Sequence, residues 1–329
     1  VLCCLYALDA QPQEVHVFKF ATLAPSGSTW MNIIEDWARQ VEKDSKGRLV
    51  FKLYPGGVAG DETDVLQKIH FGQFHGGAFT GYGIGHVYAP ARVLEMPFLF
   101  RDYAEIDHVR RLSMGGIESG FHDNGYELLG WMEMGFVHFF SRKPIRNLED
   151  LRRQRVWLWQ GDPLGQAFFK ASNISPVPLS ITDVYTSLST GMIDTVYATP
   201  LAAIAMQWFN KTKYVTDVPM ANGIGALMVS RKFFDPLPAD LKALLKSTGQ
   251  AAGARLVAET RRDNEKSLAV LKQSGLQFLM TEKDVAPEEF VRIRDQAALE
   301  LAGTGYIPQP VFERVRKLLG EYRAGKPGV

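Results

Sequence analysis

Cysteine is almost missing: the chain of 329 residues has 2, the adjacent Cys3 and Cys4. Sequence neighbours do not normally bridge each other, and no CxxC or Cys/His spacing occurs elsewhere. Beyond residue 4 this excludes disulfide staples, thiol catalysis and zinc–thiolate sites. Charge of one sign is missing too. A formal net charge of +1 with no basic tract argues against a nucleic-acid surface. No apolar run reaches the roughly 18 residues of a membrane-spanning helix. The 7 histidines form no HxH or HExxH pair, and there is no GxSxG elbow or Walker loop. "GYGIGHV" (81–87) lacks the GxGxxG spacing of a phosphate loop, and "PGGVAGDE" (55–62) reads as a glycine turn leading into a capped helix. These absences count against an enzyme, and no cofactor or metal is expected.

What is present is a 46% hydrophobic chain long enough for a large core and about two domains. Its first residues, "VLCCLYALDA", form an apolar block that ends in small residues ahead of polar "QPQE". Such a block looks like the tail of a secretory signal peptide cleaved near Ala10, which would place the mature protein in the periplasm. Then "EVHVFKFATLA" reads as a strand, and "SGSTWMNIIEDWARQVEKDSKG" as a helix with Trp30, Ile33, Ile34, Trp37 and Val41 on one face. Ser26 or Ser28 can cap that helix. "RLVFKLYP", "DETDVLQKIHFG" and "HGGAFTG" continue a strand–helix–strand rhythm, which predicts a mainly parallel sheet flanked by helices.

"PARVLEMPFLFRDYAEIDHV" interrupts the rhythm as a loop over an apolar patch, and a second, similar series begins after "SRKPIRNLEDL". Two α/β lobes follow from that repetition. "PADLKALLKSTGQAAGARLVAETRRDNEKSLAVLKQSG" (238–275) predicts one helix too long for a single lobe, with Gly249 and Gly253 disfavouring a coiled coil. Trp157 and Trp159 stand at i and i+2, so a strand points both to one face. Trp30, Trp37 and Trp131 read as core; Trp159 and Trp208 stay open between core and a binding cleft.

The ordered set "FATLAPSGSTW", "GRLVFKLYPGG", "VLEMPFLFRD", "RKPIRNLEDLRRQRVW" and "SPVPLSITDVYTSLSTGMID" resembles the solute-binding proteins of TRAP transporters, the DctP family. The resemblance runs from about Val15 to Tyr322. It implies a two-lobed α/β periplasmic-binding-protein fold, joined by strand crossovers and braced by one long helix. On that pattern residues 14–139 with 222–260 make the first lobe, and 140–221 with 261–329 the second, after a leader remnant at 1–13. The lobes would close like a flytrap over a small ligand, most often an organic acid, and pass it to the small and large membrane permease subunits. A sensory module presenting ligand to a receptor would share the fold.

The family's usual ligand anchor is an arginine on the strand after "DL(K/R)G", which grips a carboxylate with two parallel hydrogen bonds. Here "DLRRQRVWL" puts Trp157 at that place, with Arg155 two residues away on the same face. The resemblance therefore implies a cleft that favours an apolar, aromatic or ring-bodied ligand through Trp157. A conventional carboxylate binder that uses another basic residue, such as Arg155 or Arg142, is the alternative. The resemblance also carries Thr80, its neighbour Tyr82, Ser26, Phe136 and Phe139 from the first lobe towards the ligand. From the second it carries Ile181, Tyr197, Thr199 and Trp208, with Asp162 either capping a helix or touching the ligand.

Overall fold

The computed structural model describes residues 14–325; the expected leader remnant, with Cys3, Cys4 and Ala10, lies outside them. The first series is β1 (His16–Thr22), α1 (Thr29–Asp44), β2 (Leu49–Tyr54), α2 (Glu62–His70) and β3 (Gly76–Thr80), with β1 parallel to both its neighbours. Ser28, not Ser26, caps α1 by accepting the Met31 N–H. Next come α3 (Gly81–Tyr88), a buried 3-10 turn (Ala89–Glu95), α4 (Tyr103–Asp123) and the 16-residue β4 (Tyr126–Ser141). The apolar stretch expected to be a loop is thus partly ordered by that 3-10 turn.

The second series is α5 (Leu148–Arg152), β5 (Trp157–Trp159), α6 (Pro163–Ala171), β6 (Val177–Leu179), α7 (Val184–Thr190), β7 (Thr195–Ala198), α8 (Pro200–Ala205) and β8 (Tyr214–Thr216). The chain then returns through β9 (Ala221–Ser230), α9 (Arg231–Phe234) and α10 (Ala239–Gln273), and finishes with β10 (Gln277–Leu279), α11 (Pro287–Gly303) and α12 (Gln309–Arg323).

Two lobes result, and β4 belongs to both. Tyr126–Val137 pairs antiparallel with β9 in the first lobe, while His138–Ser141 pairs with β7 in the second. The strand order β10-β8-β4-β9-β3-β1-β2 is therefore parallel at its flanks and antiparallel at its centre. A purely parallel reading fails there because β9 re-enters from the second lobe beside the strand that left. β4 runs through Gly135 as one strand, with a bulge between Glu133 and Gly135.

The long helix α10 has 35 residues, about 50 Å at roughly 1.5 Å per residue, and braces this crossover. Thr248 and Thr260 on it accept the indole N–H groups of Trp37 and Trp30, each at 3.0 Å, so the aromatic face of α1 is buried with no polar atom wasted. Asn264 donates to the Met134 carbonyl at 2.8 Å and accepts the Leu201 N–H at 3.0 Å, tying β4 to α8. Helix and strand approach so closely that a Cβ on Gly253 would lie 2.6 Å from the Trp131 carbonyl oxygen. Gly253→Val is therefore expected to destabilise the fold by about 1–3 kcal/mol through overpacking, measured by urea unfolding; an unchanged midpoint would show that the contact can relax.

Candidate functional site

Between the lobes lies a cavity of about 160 Å³. Strand alternation in β5 does what the spacing suggested, turning Trp157 and Trp159 to the same side, where both line it. Trp157 stacks on Tyr197, with centroids 4.7 Å apart, and meets Trp208 edge-on at 5.4 Å. Trp159 stacks on Tyr82, which belongs to the other lobe, at 4.5 Å. Trp157 is also a core residue. It is 1% exposed, and its indole N–H is spent on the Leu179 carbonyl at 2.9 Å. Core and cleft are thus not alternatives for this ring, and it offers a ligand its apolar surface but no donor.

The lobes are fastened by Asp61. This carboxylate caps α2 through the Glu62 N–H at 2.7 Å. It also accepts three groups from the opposite lobe: Trp159 Nε1 at 3.0 Å, Ser180 Oγ at 2.6 Å and the Ile181 N–H at 3.2 Å. Tyr82 adds a fourth tie, donating its hydroxyl to the Gln160 carbonyl at 2.8 Å.

Charge in the cavity wall is concentrated on four groups. Arg92 donates to Glu95 at 2.7 Å, to both oxygens of Asp162 and, at 3.2 Å, to the Tyr306 hydroxyl. Burial alone would depress this guanidinium, but Asp162 and Glu95 outweigh it and hold Arg92 charged. Burial pushes the Glu95 carboxyl upward, while Arg92 and the Ile224 N–H, 2.9 Å away, oppose it. Glu62 accepts the N–H groups of Thr80 and Gly83, each at 2.7 Å, yet burial still dominates and raises its pKa from 4.5 to about 8. The glycines of "GYGIG" explain how these carboxyls fit. A Cβ on Gly81 would strike Glu95 at 2.0 Å and one on Gly83 would strike Glu62 at 2.6 Å.

Of the residues expected from sequence, Thr80, Tyr82, Trp157, Trp159, Ile181, Tyr197, Thr199 and Trp208 line the cavity. Four do not. Ser26 is an exposed turn residue. Phe136 packs on Tyr103 at 4.9 Å, and Phe139, 3% exposed, packs behind the wall against Phe168. Arg155 lies mostly exposed on Asp194, held by the ladder end rather than turned inward. Asp162 is indeed the cap of α6, accepting the Leu164 N–H at 3.1 Å, but it reaches the cavity as well. Trp30, assigned to the core, touches the cavity from its buried position. Arg92, Glu95, Glu62, Met132, Met134 and Val137 were missed. The one sequence cue was an Arg and a Glu three apart in the otherwise apolar "ARVLE".

Two lobes meeting over a cleft, joined by a crossover strand, have the architecture of a solute-binding protein. The chain belongs to the bacterial extracellular solute-binding proteins, family 7 (DctP), whose family pattern matches residues 20–292. It is 28% identical over 252 residues to a solute-binding protein of Verminephrobacter eiseniae, covering 74% of this chain and 73% of that one. With the 2,3-diketo-L-gulonate-binding periplasmic protein YiaO of Escherichia coli it shares 25% over 247 residues, 73% of each chain. Its fold matches a TRAP periplasmic solute-binding protein of Citrobacter koseri with bound D-glucuronate, at a TM-score of 0.82 and 21% identity, over 92% of this chain and 99% of the other. A Haemophilus influenzae counterpart with bound L-gulonate gives 0.84 at 16% identity, over 92% and 99%. The protein is an extracytoplasmic solute-binding protein of the TRAP type.

Glu62 gives the site a measurable pH signature. Between about pH 4.5 and about 8 the folded chain keeps a proton that the unfolded chain has released. Its contribution is therefore most favourable below the lower value and is lost as pH rises through the window. Glu62→Gln is expected to flatten the fall in melting temperature across that range; a profile with the same slope as the parent would exclude Glu62 as its source.

Proposed function

We propose that this protein captures, in the periplasm, a small solute with an apolar, aromatic or ring body, leaves it chemically unchanged, and delivers it to the small and large permease subunits of a TRAP transporter. One observation supports the ligand class above all. Around the cavity the stacked rings of Trp157, Tyr197, Trp159 and Tyr82 form the wall, and the one guanidinium among the described lining residues is already matched by two carboxylates. A carboxylate moved there from water would give up its hydration for a partner that is already engaged, which is expensive. Trp157, at the family's anchor position, supplies a flat apolar face in its stead.

A second reading starts from Arg92. Glu95, Asp162 and Tyr306 take four of its five N–H groups, leaving one for a ligand oxygen. The names of relatives favour it, since YiaO binds 2,3-diketo-L-gulonate and another, of Rhodobacter capsulatus, binds C4-dicarboxylates. Calorimetry with malate and succinate separates the readings. The apolar-cleft reading expects dissociation constants weaker than about 100 μM, roughly 5.5 kcal/mol of binding or less. Submicromolar binding of either acid would hand the anchor role to Arg92.

A further inference from the structure

Arg92, Asp162 and Tyr197 form a partition in the cleft, not its end. Behind them lies a second cavity of about 70 Å³, which shares these three residues, Glu95, Val137 and Gly223 with the first. Its distinctive lining residue is Asn222, on β9. Asn222 is 1% exposed, and neither its Oδ1 nor its Nδ2 has a hydrogen-bond partner. Buried side-chain amides are nearly always paired, so one with both ends unpaired beside a cavity marks a place where something polar binds.

We propose that this second cavity is the head-group subsite of the cleft, and that it takes a cationic nitrogen, an ammonium or amidinium, on a ligand whose apolar body lies against Trp157 and Trp159. The inference rests on the solute-binding reading above and narrows it. Charge decides the sign. The shared wall carries one guanidinium, Arg92, against two carboxylates, Glu95 and Asp162. Unlike Glu62, Glu95 has a guanidinium on one oxygen, Arg92 Nε at 2.7 Å, as well as the Ile224 N–H on the other at 2.9 Å, and a cation in contact favours the ionised carboxyl against its burial. The wall is therefore one negative charge in excess, in surroundings where charges are poorly screened. A cationic head restores neutrality, donates to the Asn222 carbonyl oxygen and to the remaining lone pair of Asp162 Oδ2, and meets the ring of Tyr197, which lines both cavities. An anionic head meets the same excess as repulsion. A hydroxyl can satisfy Asn222 but leaves the excess charge uncompensated.

The test is a thermal-shift panel on the whole protein, built from matched sets that share a body and differ in the head. Cyclohexylmethylamine, cyclohexylmethanol and cyclohexanecarboxylate make one such set, and branched and smaller-ring analogues make the others. Amines are expected to raise the melting temperature most, and calorimetry to show them binding at least about tenfold more tightly than the matched alcohols. Asn222→Leu should remove most of that preference. Asn222→Asp, which keeps the shape and adds a negative charge, should widen it, so the inference does not hang on one variant folding. Carboxylates that lead the panel, or an amine preference unchanged in both variants, would overturn the head-group assignment while leaving solute binding intact. A panel in which no compound stabilises the protein would remove the apolar-body reading of the cleft, and this inference with it.

Discussion

A single carboxylate, Asp61, fixes how the two lobes meet. It is committed to the first lobe as the cap of α2, and it collects an indole N–H, a hydroxyl and a backbone N–H from the second. Hydrogen bonds to an ionised acceptor are the stronger kind, and Asp61, 7% exposed, is shielded from competing water. Because one of its partners is Trp159, the clasp also sets the position of the ring that faces Tyr82 across the cleft. Closure and the shaping of the binding wall are one event.

That clasp needs lobes that move as bodies about a defined seam. The seam is β4, a continuous strand that leaves one sheet and joins the other between Val137 and His138. The long helix lies on this strand through Gly249 and Gly253, and Asn264 fastens the same strand to α8. Arg261, paired with Glu133 on β4 and Asp107 on α4, keeps the base of the first lobe together. A solute biases such a hinge only by touching both sides, and the cavity wall draws its rings from both.

Much of this was legible in local pattern. The i, i+2 spacing of Trp157 and Trp159 specified a shared face, and the proline-free run from 239 specified the brace helix. What stayed hidden depends on partners far apart in sequence. The return of β9 beside β4 is a pairing across roughly ninety residues, and nothing in "ANGIGALMVS" announces its direction. Arg92 and Asp162, 70 residues apart, look like a loop cation and a helix cap until the fold closes. Phe139 shows the limit of counting. Its periodicity with Val137 places both on one face, yet only Val137 reaches the cavity, while Phe139 packs against Phe168 and Tyr197. "GYGIG" lacks the spacing of a phosphate loop, and its glycines make room for buried carboxyls, a use with no spacing rule of its own.

Small-angle X-ray scattering tests the closure mechanism most directly. With the solute that the protein carries through purification, or the panel compound that most stabilises it, the radius of gyration should shrink on saturation. Asp61→Asn, which keeps the shape of the clasp but removes its charge, should need at least about tenfold more solute for the same compaction, the equivalent of about 1.4 kcal/mol. A radius indifferent to saturating solute, or a variant that compacts at the parent's concentration, would contradict the account.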